Sequence, residues 1–217
     1  MSAAELGSAL GRLSKLVVKD TKLLAGCRML TQLAAAEPTL LASSEEAFMK
    51  CMRGCVGSEM QRITSENTAF VTAVGSLLRA VAEQQPAFSR GSLFLLGRWR
   101  LRWLGHHSFS PRSPSGEFQR GCEEVKGEIN RGLAVLGEAA ASKDDEASGT
   151  PWMATCIDCI NAAYANSQGA AKTAAALALF KAVAAKIAET AATKGTTLQK
   201  TISNQIATLR ARVREPP

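Results

Sequence analysis

The sequence predicts an all-α protein, an elongated up-and-down bundle of four to five long helices with an irregular insertion at about residues 88–116. Apolar residues recur at steps of three and four over most of the chain, which is the period of an amphipathic α-helix. Aromatic residues make up only 5% of the 217 residues, and alanine is abundant. This composition suits close helix–helix packing better than a β-sandwich or a barrel.

Residues 1–87 are predicted to form two long helices. The first covers about residues 3 to 35 and ends at Glu37-Pro38, because proline disfavours helical backbone in the residue before it. The second begins at Ser43, which has Glu46 three residues later in a capping-box pattern. Each helix has one apolar face and is therefore expected to pack against another helix.

Residues 88–116 interrupt the helical pattern with glycines, prolines and no steady 3.6-residue period. Within them, Arg98, Arg100 and Arg102 alternate with the apolar residues Trp99, Leu101 and Trp103. Such alternation is typical of a strand, but no second strand is apparent to pair with it. We therefore interpret the segment as an irregular insertion or linker between helices.

Residues 117–217 are predicted to contain the helices that complete the same bundle. One helix covers about residues 117 to 141, a polar loop follows, and Pro151 suits the first position of the next helix. The final apolar stripe continues to Val213 at the period of a straight helix. If this last helix outreaches its neighbours, its overhang is expected to stay exposed and to pair with another chain; its apolar residues are Leu198, Ile202, Ile206 and Leu209.

Charge and motifs argue against several classes of function. The net charge is +7, and residues 88–120 carry six arginines against one glutamate. No apolar run has the roughly 18 residues that span a bilayer, and the amino terminus lacks a persuasive secretory signal. A glycine-rich phosphate loop is missing, and the two histidines, His106 and His107, have no catalytic partner nearby in sequence. We therefore predict a protein that is not an enzyme and has no cofactor.

The six cysteines are expected to be reduced thiols in the cores of helices, in an intracellular compartment. Cys156 and Cys159 form a CxxC pair that Cys51 and Cys55 could complete as a zinc site. The apolar neighbours of the pair favour core packing instead, since a buried cysteine behaves as a small hydrophobic residue. These four cysteines are therefore weak candidates for metal ligands.

The segment with alternating arginine and tryptophan is the strongest functional candidate. Trp99 and Trp103 with Arg98, Arg100 and Arg102 could anchor a partner protein or form a buried plug over the bundle. They could also dock on an anionic membrane or stack on single-stranded nucleic acid. An abrupt insertion with no selected role is a further alternative.

Taken together, the sequence favours a scaffold, adaptor or assembly subunit that recognises a protein partner, or a second copy, by helix packing. The alternatives are a peripheral membrane-binding protein that uses the arginine and tryptophan residues and a basic organellar RNA-associated subunit. A cytoplasmic location is expected, with the mitochondrion as the alternative.

Overall fold

The protein is all-helical throughout the part of the chain that the structure describes. A computed structural model describes residues 2–17, 22–57, 68–83, 88–138, 143–190 and 196–214, and these ranges contain helices and turns but no strand. The predicted all-α class, a bundle of helices packed on one another, is confirmed. The chain divides into two compact units, residues 1–92 and 93–217. That residues 1–87 and 117–217 complete one bundle stays a prediction.

The first unit contains five α-helices and one π-helical segment within its described residues. α1 packs against α4, and α2 packs against α5. The hydroxyl of Ser2 accepts a hydrogen bond from the Glu5 amide, and the Glu5 carboxylate accepts one from the Ser2 amide, so a capping box begins α1. The elements are α1 (Ala3–Val17), α2 (Leu23–Ala36), α3 (Pro38–Ser43), α4 (Glu45–Met52), the π-helical segment (Arg53–Gly57) and α5 (Thr68–Glu83).

The second unit is built on α9, which contacts α7, α8 and α10. Its core contains Phe118 and Leu133 of α7, Trp152 of α8, and Phe180 and Val183 of α9, all buried. The helices are α6 (Arg90–His107), whose first turn precedes the unit boundary, α7 (Ser115–Glu138), α8 (Lys143–Ala165), α9 (Ala170–Glu189) and α10 (Thr197–Arg214).

The prediction of an irregular insertion at residues 88–116 is wrong over most of that range, because residues 90 to 107 form α6. Phe94, Trp99, Leu101 and Leu104 are all buried, and they point to several sides of this helix. A helix that is buried on several sides has no single apolar stripe, so its 3.6-residue period is absent from the sequence. The alternation of arginine and tryptophan therefore marks a core helix.

The predicted helices are also shorter than expected. The longest described helix, α7, has 24 residues. The first predicted helix contains α1 and α2, and the second contains α4, the π-helical segment and α5; residues 18–21 and 58–67 of these predicted helices lie outside the described ranges. The predicted polar loop after residue 141 is helical from Lys143, so that Pro151 lies inside α8.

The predicted C-terminal overhang is wrong. α9 ends at Glu189, and Thr190 has extended backbone with φ −100° and ψ 106°. The chain then folds back, and α10 packs against α9 and α8. Three of the four residues expected to be exposed are buried in these contacts, and the fourth is half-buried; they are Leu198, Ile202 and Leu209, with Ile206 as the half-buried one.

We expect Ile202→Val to lower the free energy of unfolding by about 0.5 to 1.5 kcal/mol, because it removes a methylene group from a side chain that is 1% exposed. Ile206→Val is the matched control and should have a smaller effect at its half-buried position. Urea denaturation gives both values. Equal and negligible effects would contradict the packing of α10 on this unit.

Candidate functional site

The arginine and tryptophan residues of α6 contribute mainly to the core of the second unit. Trp99 is 6% exposed and Trp103 is 8% exposed. Arg98 is half-buried, and burial together with the charge of Arg102 lowers its pKa. Arg102 is exposed. Docking of these tryptophans on a membrane, nucleic acid or a partner stays a prediction, and it would require both rings to leave the core.

Arg100 is buried because α7 supplies two carboxylates to it. Its Nη2 lies 3.2 Å from Glu124 Oε2, and its Nε lies 3.6 Å from Glu128 Oε2. Arg131 Nη2 donates to the same Glu128 oxygen at 2.5 Å. The Glu128 side chain is only 6% exposed, so its charge is held by two guanidinium groups in place of water. This network joins α6 to α7.

Trp152 of α8 fits against glycines of the two helices that this network joins. An added Cβ at Gly97 of α6 would lie 3.1 Å from the Trp152 Nε1 atom, and one at Gly132 of α7 would lie 2.0 Å from Cζ2. The Phe94 ring packs on the indole with centroids 5.7 Å apart. Both the ion network and the tryptophan therefore have evident structural roles.

His107 has a partner that the sequence did not indicate. Its Nε2 lies 3.2 Å from Glu117 Oε1, and its ring is 4.6 Å from the Trp103 ring. The His107 side chain is 44% exposed, so the pair is a surface contact between the end of α6 and the start of α7. His106 is exposed.

The six cysteines are all buried as free thiols. Cys51 Sγ donates to the Leu10 carbonyl at 2.8 Å, and burial raises the pKa of this thiol to about 11. A hydrogen bond to Cys27, together with burial, raises the pKa of Cys55. Burial also raises the pKa of Cys156 and of Cys159. The thiolate is the nucleophile, so the raised pKa lowers the reactivity of these thiols.

No three His, Cys, Asp or Glu side chains in the described ranges are grouped so that they could hold a metal ion. Cys51 and Cys55 belong to the first unit, whereas Cys156 and Cys159 belong to the second.

Burial raises the pKa of the Cys122 thiol to about 12, and this shift predicts a loss of stability in alkali. Above the ordinary value of 9.0 the unfolded chain releases this proton while the folded chain keeps it. Stability is therefore full below pH 9 and falls, by up to about 1.4 kcal/mol per pH unit for one thiol, as the pH rises toward 12. We expect Cys122→Ala to lose less stability between pH 8 and pH 10 than the wild type in urea denaturation. Equal losses of stability in the wild type and in Cys122→Ala would contradict the raised pKa of Cys122.

An apolar groove of about 370 Å³ lies between α1 and α2 in the first unit. We call it the α1–α2 groove. The α1 wall consists of Leu6, Ala9, Leu10 and Leu13. The α2 wall consists of Met29, Gln32, Leu33 and Ala36.

Exposed apolar side chains mark this surface. Met29 is 56% exposed and Leu16 is 42% exposed, and they are the large hydrophobic side chains that are exposed among the described residues. Leu16 continues the helical face of Ala9 and Leu13, since residues three and four apart are neighbours on a helix. The apolar surface therefore extends beyond the groove along α1.

The packing of the two helices explains why a groove is open here. An added Cβ at Gly26 would lie 2.5 Å from Val17 Cγ2, so α1 and α2 approach closely beside these residues. The groove residues precede Val17 on α1 and follow Gly26 on α2, so they lie away from this contact. α1 is held by α4 and α2 by α5, so both walls rest on other helices.

Charged residues of both signs lie beside the groove. Arg12 is exposed and lies three residues after Ala9, so it shares that side of α1. Arg28 is exposed and lies four residues before Gln32 on α2. Exposed acidic residues lie beside the same walls, since Glu5 is four residues before Ala9 on α1 and Glu37 directly follows α2.

Comparison with protein-family models, curated proteins and solved structures finds no match. Within the described ranges, no helix combines the length and apolarity needed to cross a bilayer.

Proposed function

We propose that the protein is a non-catalytic helical scaffold or adaptor that binds a protein partner by helix packing in the α1–α2 groove. The observation that carries the proposal is the open apolar groove with Met29, at 56% exposed, on its wall. A concave surface lined by apolar side chains is a candidate binding site. Concave apolar grooves between helices are a recurrent way to recognise an amphipathic helix.

The location of the working surface differs from the sequence-based hypothesis. The tryptophans of α6 and the leucines of α10 take part in the core of the second unit. They are therefore less accessible to a partner than Met29 and Leu16, whose apolar atoms lie in contact with water. This difference favours α1 and α2 as the docking surface.

A non-catalytic role agrees with the state of the reactive side chains. The described thiols are buried, and burial raises the pKa of most of them, which lowers their nucleophilicity. The most buried carboxylate, Glu128, is already paired with Arg100 and Arg131. The free thiols also support an intracellular location, for which we propose the cytoplasm, with the mitochondrion as the alternative.

Site-specific photo-crosslinking in cells that naturally express the protein tests the proposal. A benzophenone amino acid at position 29 should form an adduct with one defined segment of a partner, at positions that recur every three or four residues. The same group at Thr72, which is exposed on α5, is the control and should not give this adduct. Introducing Ala9→Glu on the opposite wall should remove the adduct from position 29. Identical adducts from both positions, or none from position 29, would overturn the proposal.

A further inference from the structure

We propose that Cys27 of α2 and Cys55 of the π-helical segment are a redox-responsive pair that hydrogen peroxide oxidises to an intrachain disulfide. This inference does not depend on the α1–α2 groove. It assigns a covalent modification to two thiols in the core of the first unit, and the bond would link α2 to the segment that continues α4.

The two thiols are already in contact. A hydrogen bond joins the side chains of Cys27 and Cys55, and α2 packs against the π-helical segment. An added Cβ at Gly26 would lie 3.4 Å from Cys55 Sγ, so this sulfur packs on the turn of α2 that carries Cys27. Both cysteines are 0% exposed, so the surrounding core holds the contact in place. A disulfide therefore requires a further approach of two neighbouring sulfur atoms, without a rearrangement of the helices.

The hydrogen bond gives the two thiols different roles. Because it stabilises the thiolate, it lowers the pKa of Cys27, although burial acts in the opposite direction. The same bond, together with burial, raises the pKa of Cys55, which remains the proton donor. A thiol of lowered pKa beside a second thiol is the arrangement of a nucleophilic cysteine and its resolving partner.

The other cysteines are less suited to this reaction. Cys51 Sγ donates to the Leu10 carbonyl of α1 at 2.8 Å, so its thiol is engaged by a different helix. Among the six cysteines, all of which lie in the described ranges, Cys27 is the one whose pKa is lowered. Oxidation is therefore expected to begin at Cys27 and to end at Cys55.

The reaction needs one molecule of peroxide. The Cys27 thiolate attacks one oxygen of hydrogen peroxide, the O–O bond breaks, and Cys27 becomes a sulfenic acid. The hydroxide that leaves takes up the proton that Cys27 had released and becomes water. The Cys55 sulfur then attacks the Cys27 sulfur, the S–O bond breaks, and the departing hydroxide takes the Cys55 proton as a second water. The two thiols thus lose two electrons, and peroxide is reduced to two waters.

Burial of the pair selects a small oxidant. Hydrogen peroxide is little larger than water and can reach the sulfur atoms through local opening of the packing, whereas a bulky disulfide reagent needs a wider opening. The π-helical geometry around Cys55 is rare in proteins and occurs frequently at functional sites. In a reducing compartment such a disulfide is transient and reports the presence of the oxidant.

Peptide mapping of the full chain tests the inference. The reduced protein is treated with hydrogen peroxide at neutral pH, its remaining thiols are alkylated in denaturant, and a tryptic digest is analysed by mass spectrometry without reduction. Trypsin places Cys27, Cys51 and Cys55 in separate peptides, namely residues 23–28, 51–53 and 54–62. We expect a cross-link between peptides 23–28 and 54–62 to form more than about tenfold faster than Cys122 is oxidised, because burial raises the pKa of Cys122 to about 12.

Three variants assign the roles of the thiols, with circular dichroism as the check that each one is folded. Cys55→Ala removes the resolving thiol, so Cys27 should proceed to a sulfinic acid. Cys27→Ala should leave Cys55 as a free thiol. Cys51→Ala is the matched control, four residues before Cys55, and should keep the cross-link. Oxidation of Cys55 in Cys27→Ala at the wild-type rate would overturn the assignment of Cys27 as the nucleophile.

The wild-type measurement involves no substitution, so it tests the inference even where a variant does not fold. In urea the preference for the cross-link should be lost, since it depends on the folded contact between α2 and the π-helical segment. Three results would overturn the inference. They are a cross-link from peptide 23–28 to peptide 51–53, a preference that persists in urea, and free Cys27 and Cys55 thiols under conditions that oxidise the chain in urea.

Discussion

Glu128→Gln is expected to lower the free energy of unfolding of the second unit by about 3 kcal/mol. The substitution keeps the shape of the side chain and removes the charge that Arg100 and Arg131 share. Arg100 is only 10% exposed, so water compensates little for the lost carboxylate. Urea denaturation followed by tryptophan fluorescence measures the effect, since all three tryptophans lie in this unit.

Two further variants sharpen this test. Glu123→Gln on the same helix removes a carboxylate that is 64% exposed and pairs with Lys126, so its effect should stay below about 1 kcal/mol. Arg100→Met/Glu128→Leu replaces both charges by apolar groups and should recover much of the stability that Glu128→Gln loses. Equal effects of Glu123→Gln and Glu128→Gln would contradict the buried network.

Gly132→Ala is expected to destabilise the second unit by about 1 to 3 kcal/mol, although alanine is the better helix former. The added Cβ would lie 2.0 Å from Trp152 Cζ2, 2.4 Å from Cε2 and 2.7 Å from Cη2. Trp152 is only 1% exposed, so the rigid ring cannot move away from the added methyl group without disturbing the core around it. Thermal or urea unfolding followed by circular dichroism measures the loss.

Gly127→Ala is the matched control for Gly132→Ala, because it lies five residues earlier on α7. The nearest atom to its added Cβ is Arg131 Nη1 at 4.0 Å. This variant should therefore gain up to about 1 kcal/mol from helix propensity. If both alanine variants are stabilising, Trp152 does not pack against Gly132.

The sequence predicted helices with one apolar face better than helices that are buried on several sides. α7 was predicted close to its observed bounds because Phe118, Val125, Ile129 and Leu133 form one clear stripe. α6 was missed because its buried residues surround the helix. Its arginines also suggested a surface, since the carboxylates that neutralise Arg100 lie 24 and 28 residues later in the chain. Pairing over that distance is not visible in a local pattern.

The periodicity likewise did not indicate where one helix ends and the next begins within an apolar stripe. The pattern from Phe180 to Leu209 keeps its step even though the chain folds back between α9 and α10. A stripe that is in phase before and after a turn resembles one long helix. The exposed overhang was therefore an incorrect extrapolation, and Leu198 and Leu209 are buried in the second unit itself.

The groove had a weak signal in the sequence. Leu16 and Met29 lie off the main apolar stripes of the first predicted helix, and isolated apolar residues on a helix surface are common. Only the packing of α1 and α2 indicates that such residues border one open surface. The candidate site was therefore not predictable from the sequence, whereas recognition by helix packing was already the favoured hypothesis.

The most direct test of the central proposal is an NMR spectrum of the full chain with ¹³C-labelled methionine methyl groups. Met29 is 56% exposed on the groove, while Met49 is 3% exposed and Met52 is 0% exposed, so the buried pair are internal controls. Addition of an amphipathic helical peptide that the protein binds should shift the Met29 signal in proportion to occupancy and leave the Met49 and Met52 signals in place. A Met29 signal that stays unchanged while the helix binds would contradict the assignment of the α1–α2 groove as the docking site.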